Sequence, residues 1–250
     1  VDPALAYYDI CQSSLIHVIS FENVASEYST PNDLVIVNNI AYVTDSGGSQ
    51  IWSIYQPNIA TSQPKVFTNS AETCLYPNGI EAYKNKYLLV GCSNGLWRLT
   101  IETKQGLYIF DSNPNTQLPN ELTLGFDGII FSNYLNGIYQ SSSNNENNDS
   151  GNSNLLLYGA SNFPTVGRDR VVVMSSNDDW TTCDVLFIFR GNCPGGYMST
   201  IAYTGENMFV LCTDYYKNGP YEIRGMNNSN YIVTNGNIIY KSNNDNKKDG

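Results

Sequence analysis

The sequence predicts an all-β fold: a single six-bladed β-propeller of four-stranded antiparallel blades, one of them closed by both termini. Three observations predict it. Units that begin with a Pro-Asn turn and continue as short strands recur along the chain. The polar residues are mostly amides and hydroxyls, with 33 Asn but only 14% charged residues, and such residues favour frequent tight turns. No stretch carries sustained helical periodicity, so no helix of meaningful length is expected.

The repeat sets the elements in order. Pro31-Asn32-Asp33 leads into LVIV, NNIAYVTDS and SQIWSIY. Pro77-Asn78-Gly79 leads into IEAY, NKYLLVGCS and NGLWRLTI. Pro119-Asn120-Glu121 leads into LTLG, DGIIFSNY and NGIYQSSS. Successive turns are 46 and 42 residues apart. A more variable fourth strand closes each unit: PKVFTN near 66, GLYIF near 108 and LLLYG near 157. Four short antiparallel strands per forty to fifty residues is the period of a propeller blade. Weaker units follow, with VGRD, RVVVMSS and DVLFIFR after Phe163-Pro164-Thr165, then IAYTG, ENMFVLCTD and YEIRG after Met198-Ser199-Thr200. YIVTN and GNIIYKS form a last half unit. The N-terminal strand SLIHVISF, residues 14–21, is expected to complete that half unit and remove an open seam. Residues 1–250 thus form one domain, with a low-complexity loop at 141–154 and a polar tail at 242–250.

Composition narrows the function classes. A net charge of −10 argues against nucleic-acid binding, which uses a basic stripe. No apolar run reaches the roughly 20 residues that span a bilayer, and the start Val1-Asp2-Pro3 would suit a processed chain. Six cysteines without metal-type spacing, Cys11, Cys74, Cys92, Cys183, Cys193 and Cys212, suit disulfides in an oxidising compartment. Expected pairs are Cys74 with Cys92, Cys183 with Cys193, and Cys11 with Cys212; buried free thiols are the alternative. The sequons at Asn148 and Asn227 add to an expectation of a secreted or surface-exposed glycoprotein.

The Pro-Asn turns and the strands that follow them resemble the gluconolactonase/senescence-marker and NHL-type six-bladed propellers. Hydrolytic members hold a divalent cation, usually calcium, in the central channel. The resemblance implies Asn32, Asn78 and either Asn120 or Glu121 as the matching ligands, with Asn120-Glu121 where the family normally offers Asp. Calcium takes about six to eight oxygen ligands, so amides and carboxylates from several blades suit it. Turn chemistry explains the same residues without a ligand: Pro fixes φ and Asn accommodates the turn backbone.

Catalytic signatures are sparse. His17 is the only histidine, so no histidine dyad can form within the chain; its place in an N-terminal strand expected to be peripheral disfavours a Ser-His-Asp set, and no G-x-S-x-G elbow occurs. Trp52 and Trp97 occupy equivalent third-strand positions and are expected to pack between blades. Trp180, Tyr215 and Tyr216 fall in or beside loops and are the candidates for exposed contacts to a protein or glycan. The first functional reading is therefore a non-enzymatic binding or assembly module, with self-association among its options. The second is a calcium-dependent lactonase or phosphotriesterase-like hydrolase, and the third is a lectin.

Overall fold

Strand formation follows from short runs of β-branched and aromatic residues cut by Asn, Gly and Ser turns. The computed structural model describes residues 3–69, 73–112, 125–132, 155–161, 170–190, 197–203, 208–213, 222–226, 231–234 and 237–240. All regular elements there are strands. β1 (Ala4–Asp9) and β2 (Ser14–Ser20) form a hairpin that bonds to no other strand. β3 (Pro31–Val37), β4 (Ile40–Asp45), β5 (Gln50–Tyr55) and β6 (Pro64–Asn69) form a four-stranded antiparallel meander. β7 (Ile80–Tyr83), β8 (Tyr87–Cys92), β9 (Gly95–Thr100) and β10 (Gly106–Tyr108) form a second.

β11 (Phe110–Asp111) then crosses to the next sheet and pairs in parallel with its last strand, Phe110 opposite Thr182 and Asp111 opposite Cys183. The rest of that sheet is β12 (Phe126–Ser132), β13 (Leu156–Ser161), β14 (Arg170–Ser175) and β15 (Thr182–Arg190), antiparallel in chain order. β16 (Tyr197–Tyr203), β17 (Met208–Thr213) and β18 (Glu222–Met226) make a three-stranded sheet, and β19 (Tyr231–Thr234) and β20 (Asn237–Tyr240) a second isolated hairpin.

This topology corrects the repeat at its centre. The expected third and fourth units contribute to one sheet: the DGIIFS and LLLYG segments are its first two strands, RVVVMSS and DVLFIFR its last two. Burial gives the reason. Every residue of β13 is buried, and all of β14 but its last residue, which suits mid-sheet strands. The true fourth strand β6 is half exposed. Among the described residues no sheet joins β1–β2 to β19–β20.

The core lies in layers between successive sheets. Ile19 and Phe21, at the end of the first hairpin, pack with Ala41, Val43, Trp52 and Ile54. Tyr42, Ile51 and Phe67 meet Leu88, Val90 and Leu99. Leu89, Leu96 and Ile109 meet Phe126, Leu157, Val172 and Trp180. Tyr158, Val171 and Val173 meet Met198, Ile201 and Val210. Trp52 is fully buried and half-buried Trp97 packs at a sheet interface, as their register predicts.

The first strands of the sheets approach one another at backbone distance. A Cβ on Gly79 would stand 2.7 Å from the Ile129 amide nitrogen and 2.9 Å from the Asp127 carbonyl oxygen, and one on Gly128 would stand 2.9 Å from Thr200 Cα. Glycine is needed there for close approach.

Candidate functional site

The first strands bring polar residues together at their entry ends. Bulges interrupt β3 between Pro31 and Leu34, β12 between Phe126 and Gly128, and β16 between Met198 and Thr200. The residues inside them are Asn32 and Asp33, Asp127, and Ser199. A bulge turns a side chain out of the alternating pattern, which is why inspection of the Pro-Asn turns alone overlooks Asp33 and Asp127.

Asp33 reaches into the next sheet. One carboxylate oxygen accepts the Ile80 N–H at 3.0 Å and the other the Leu34 N–H at 2.8 Å. Glu81 repeats the device from β7 to β12, its Oε2 taking the Phe131 N–H at 3.5 Å and its Oε1 the Ala82 N–H at 3.0 Å. Burial pushes the Asp33 carboxyl above the usual carboxylate range, with the two N–H donors partly opposing it. Burial likewise raises Glu81, and the negative charge of Asp33 adds to the rise. Thr44 links the same strands: its Oγ1 accepts the Asp33 N–H at 3.0 Å and donates to the Asn78 carbonyl at 2.6 Å.

The implied calcium ligands are only partly brought together. Asn32 is exposed on β3 and Asn78 is half-buried just before β7. The Asn78 Oδ1 atom is buried without a hydrogen-bond partner, so it is free to accept from a ligand. Asn120 and Glu121 lie outside the described residues. No group of three or more carboxylate, thiol or imidazole side chains suited to a metal converges among the described residues.

Other candidates are relocated. Trp180 is 1% exposed, so it is no surface contact. Its ring lies 5.5 Å from Phe131 and 6.4 Å from Tyr83. Its loop is turned inward by Asp178, which takes the Thr182 N–H and hydroxyl, and by Ser176, which accepts the Trp180 N–H. Tyr215, Tyr216, Asn148 and Asn227 lie outside the described residues. His17 stacks on Tyr7 at 5.1 Å and its Nε2 lies 3.1 Å from the Pro57 carbonyl oxygen, a packing role.

Cys74 and Cys92 form the expected disulfide, tying the segment before β7 to the end of β8. Cys11 and Cys183 are free, which removes the expected Cys11–Cys212 and Cys183–Cys193 pairs. Cys11 sits exposed in the turn of the first hairpin, whereas Cys183 is buried in the core where β11 meets β15. Cys212 is disulfide-bonded, and Cys193 lies outside the described residues.

An apolar seam was not foreseen. β3 alternates between half-buried and exposed residues, with Leu34 41% and Ile36 51% exposed, whereas β12, also a first strand, is mostly buried. Among the described residues, the two-stranded β1–β2 hairpin precedes β3. A groove of about 230 Å³ lies between β1 and β3, lined by Leu5, Tyr8, Leu34, Ile36, Ala41 and Pro57 among others. Leu15, Ile16 and Val18 on β2 extend the exposed apolar surface.

The layered meanders match solved structures. A chain in a crystal structure of a nidogen/laminin complex superposes with a TM-score of 0.54 at 11% identity, covering 89% of this chain and 74% of the other. A putative 6-phosphogluconolactonase from Bacteroides uniformis gives a TM-score of 0.54 at 10% identity, covering 95% and 63%. Both are propeller-type folds. The chain is a β-propeller. No protein-family model and no curated protein matches it. The propeller has sheets β3–β6, β7–β10, β12–β15 and β16–β18 as blades, and the polar bulges stand on the first strands of three of them. Among the described residues no helix is long and apolar enough to cross a membrane.

Proposed function

We propose that this propeller is a secreted or surface-displayed, non-enzymatic binding or assembly module whose contact surface is the apolar seam between β1 and β3. The observation that carries the reading is the exposure of Leu34 and Ile36 beside the 230 Å³ groove. Contiguous apolar surface of this kind marks interaction sites, and the free edge of β1 adds backbone donors and acceptors for a pairing strand. The Cys74–Cys92 disulfide and the sequons at Asn148 and Asn227 support an oxidising location.

The test uses a labelled, alternating apolar β-peptide and fluorescence anisotropy at protein concentrations low enough to disfavour self-association. Binding is expected, weakened at least tenfold by Leu34→Asp together with Ile36→Asp. Equal binding by wild type and variant, or none by either, would remove the seam as the contact surface.

The unpartnered Asn78 Oδ1 beside Asp33 favours a second reading, a calcium-dependent lactonase or phosphotriesterase-like hydrolase with its metal in the channel, held by Asn32, Asn78, Asn120 and Glu121. Asn78 and the bulge carboxylates supply oxygen donors of the type calcium takes. This reading predicts a rise in melting temperature with added calcium that Asn78→Ala abolishes. An unchanged melting temperature in excess calcium counts against it.

A further inference from the structure

We propose that three neighbouring loops at the entry ends of β3 and β7 form a second contact surface, which receives an arginine-bearing segment of another protein. The loops are residues 26–30 before β3, 46–49 between β4 and β5, and 73–78 before β7. None of their residues lines the groove of the seam, so the inference goes beyond that reading.

Direct contacts make the three loops one surface. The Ser46 N–H donates to the Thr30 carbonyl at 2.9 Å, and the Tyr28 carbonyl packs so closely on Gly47 that no Cβ fits there. On the other side, the Ser46 hydroxyl donates to the Pro77 carbonyl at 2.7 Å, and the Tyr76 N–H to the Ser49 hydroxyl oxygen at 3.4 Å. The 46–49 turn therefore stands between the other two loops and touches both.

The backbone of this surface is fixed from below. Asp45, fully buried at the end of β4, accepts hydrogen bonds from the Ser29 hydroxyl, the Thr30 and Gly48 N–H groups and the Gln50 side-chain amide, at 2.6 to 3.1 Å. One carboxylate thus anchors two loops. The Cys74–Cys92 disulfide holds the third, together with Asn94, whose side chain donates to the Thr73 carbonyl at 2.8 Å and accepts the Leu75 N–H at 3.1 Å. Outward from this scaffold stand Tyr28, 70% exposed, Tyr76, 59% exposed, and Leu75, 40% exposed. Tyr76 also has φ of 49°, in the left-handed region that a bulky residue occupies only where its surroundings impose it. Aromatic side chains carried on a fixed backbone lose little entropy on binding.

The chemistry of the loops selects the partner. Tyr, Ser and Gly recur in them, the combination that joins rigid aromatic contact to adaptable hydrogen bonding in protein-recognition loops. They hold no Lys or Arg, and the whole chain carries a net charge of −10. Exposed Glu27 sits beside Tyr28, and its hydrogen bond to the phenol raises that hydroxyl above its ordinary pKa. A guanidinium answers each feature, since its plane stacks on a tyrosine ring and its fork pairs with a carboxylate. The aliphatic stem of the same side chain suits Leu75. Lysine brings the charge without the plane or the fork. A neutral glycan would use the rings but leave the Glu27 charge without a counterpart.

Selection of random phage-displayed peptides on the immobilised full chain tests the proposal, with fluorescence anisotropy on the recovered peptides. The recovered sequences are expected to be enriched in Arg over Lys. Their binding is expected to weaken at least tenfold in Tyr28→Ala and in Tyr76→Asn, asparagine being chosen because it accepts positive φ. Glu27→Gln is expected to weaken binding and reduce its salt sensitivity. All three side chains are exposed, so each variant is expected to keep the wild-type melting temperature, which separates a lost contact from lost folding. Tyr28→Ala decides alone if the Tyr76 variant melts early. Leu34→Asp with Ile36→Asp is expected to leave this binding intact, so failure of the seam and failure of the loop surface are read separately.

Recovered peptides without Arg enrichment overturn the proposal, as does binding that Tyr28→Ala leaves unchanged or that survives exchange of every Arg for Lys. Tyr28-dependent retention of neutral oligosaccharides on a glycan array, without binding of Arg peptides, makes the surface a lectin site and overturns it as well.

Discussion

Trp180 shows how a single residue can change meaning between sequence and structure. Its neighbours in the sequence are Asn177, Asp178 and Asp179, which mark a loop, and a loop tryptophan reads as a contact residue. The same carboxylate-rich turn instead folds the ring under itself, because Asp178 and Ser176 satisfy the local N–H groups while Tyr83 and Phe131 enclose the indole. Trp180→Ala is therefore expected to cost stability, about 3 to 5 kcal/mol as for other buried aromatics. Chemical denaturation checks it, and a loss below about 1 kcal/mol would mean that the ring is not core. The two free thiols divide in the same way. Burial strongly raises the pKa of the Cys183 thiol, with nearby Asp111, Asp184 and Asp178 adding to it, and only a thiolate reacts readily. A thiol reagent is expected to modify exposed Cys11 in the folded protein and Cys183 only after unfolding; modification of both at equal rates would place Cys183 at the surface.

At the scale of elements, the first strands of the blades are set by what lies behind them. Gly79 lets β7 approach the backbone of β12, since a Cβ there would meet both Ile129 N and Asp127 O within 3 Å. Both obstacles are backbone atoms, so the approach cannot relax through a rotamer change. Gly79→Ala is expected to lower stability by about 2 kcal/mol or more, on the scale of overpacking a tight core. A matched Gly106→Ala, whose nearest obstacle is the Leu99 side chain at 3.1 Å, is expected to cost less. Thermal melts of the pair check this, and equal losses would argue against backbone contact. The bond between Lys84 and Asp179, at 2.6 Å, joins the same two blades near their surface. With both side chains over two-fifths exposed, solvent screens the pair and it adds little to stability. Packing and hydrogen bonds to backbone groups, rather than surface charge, hold neighbouring blades together.

Over the whole molecule, the parts of the fold legible in the sequence are those where hydrophobic period and turn chemistry agree. The Pro31 and Pro77 units each became a four-stranded sheet with its strands in the expected order. The unit after Pro119 did not, because LLLYG is apolar throughout, and an apolar run does not reveal whether it is a second or a fourth strand. Cys74–Cys92 was legible because the two residues bracket one hairpin; the remaining pairs depended on blade order. Asp33 and Glu81 were not legible as a site, since only bulges and contacts between blades aim them across blade boundaries. Their consequence is a pH dependence of the packed sheets. A carboxyl whose folded pKa lies above its unfolded one stabilises the fold when protonated. That contribution is complete below the unfolded value and is lost as pH rises through the folded one. Burial raises both Asp33 and Glu81, so the loss begins above the ordinary carboxylate range of about 4. Asp178 and Asp179 act in the opposite direction and elsewhere on the scale. Hydrogen bonds outweigh burial at Asp178, and Lys84 holds Asp179 down, so their contributions disappear only as pH falls below about 4. Melting temperature is therefore expected to decline as pH rises from about 4 towards 7, and Asp33→Asn with Glu81→Gln is expected to flatten that decline. Each amide keeps an oxygen that accepts one of the N–H bonds and carries no charge to desolvate. If the double variant keeps the full slope, these two carboxyls are not the source of the decline.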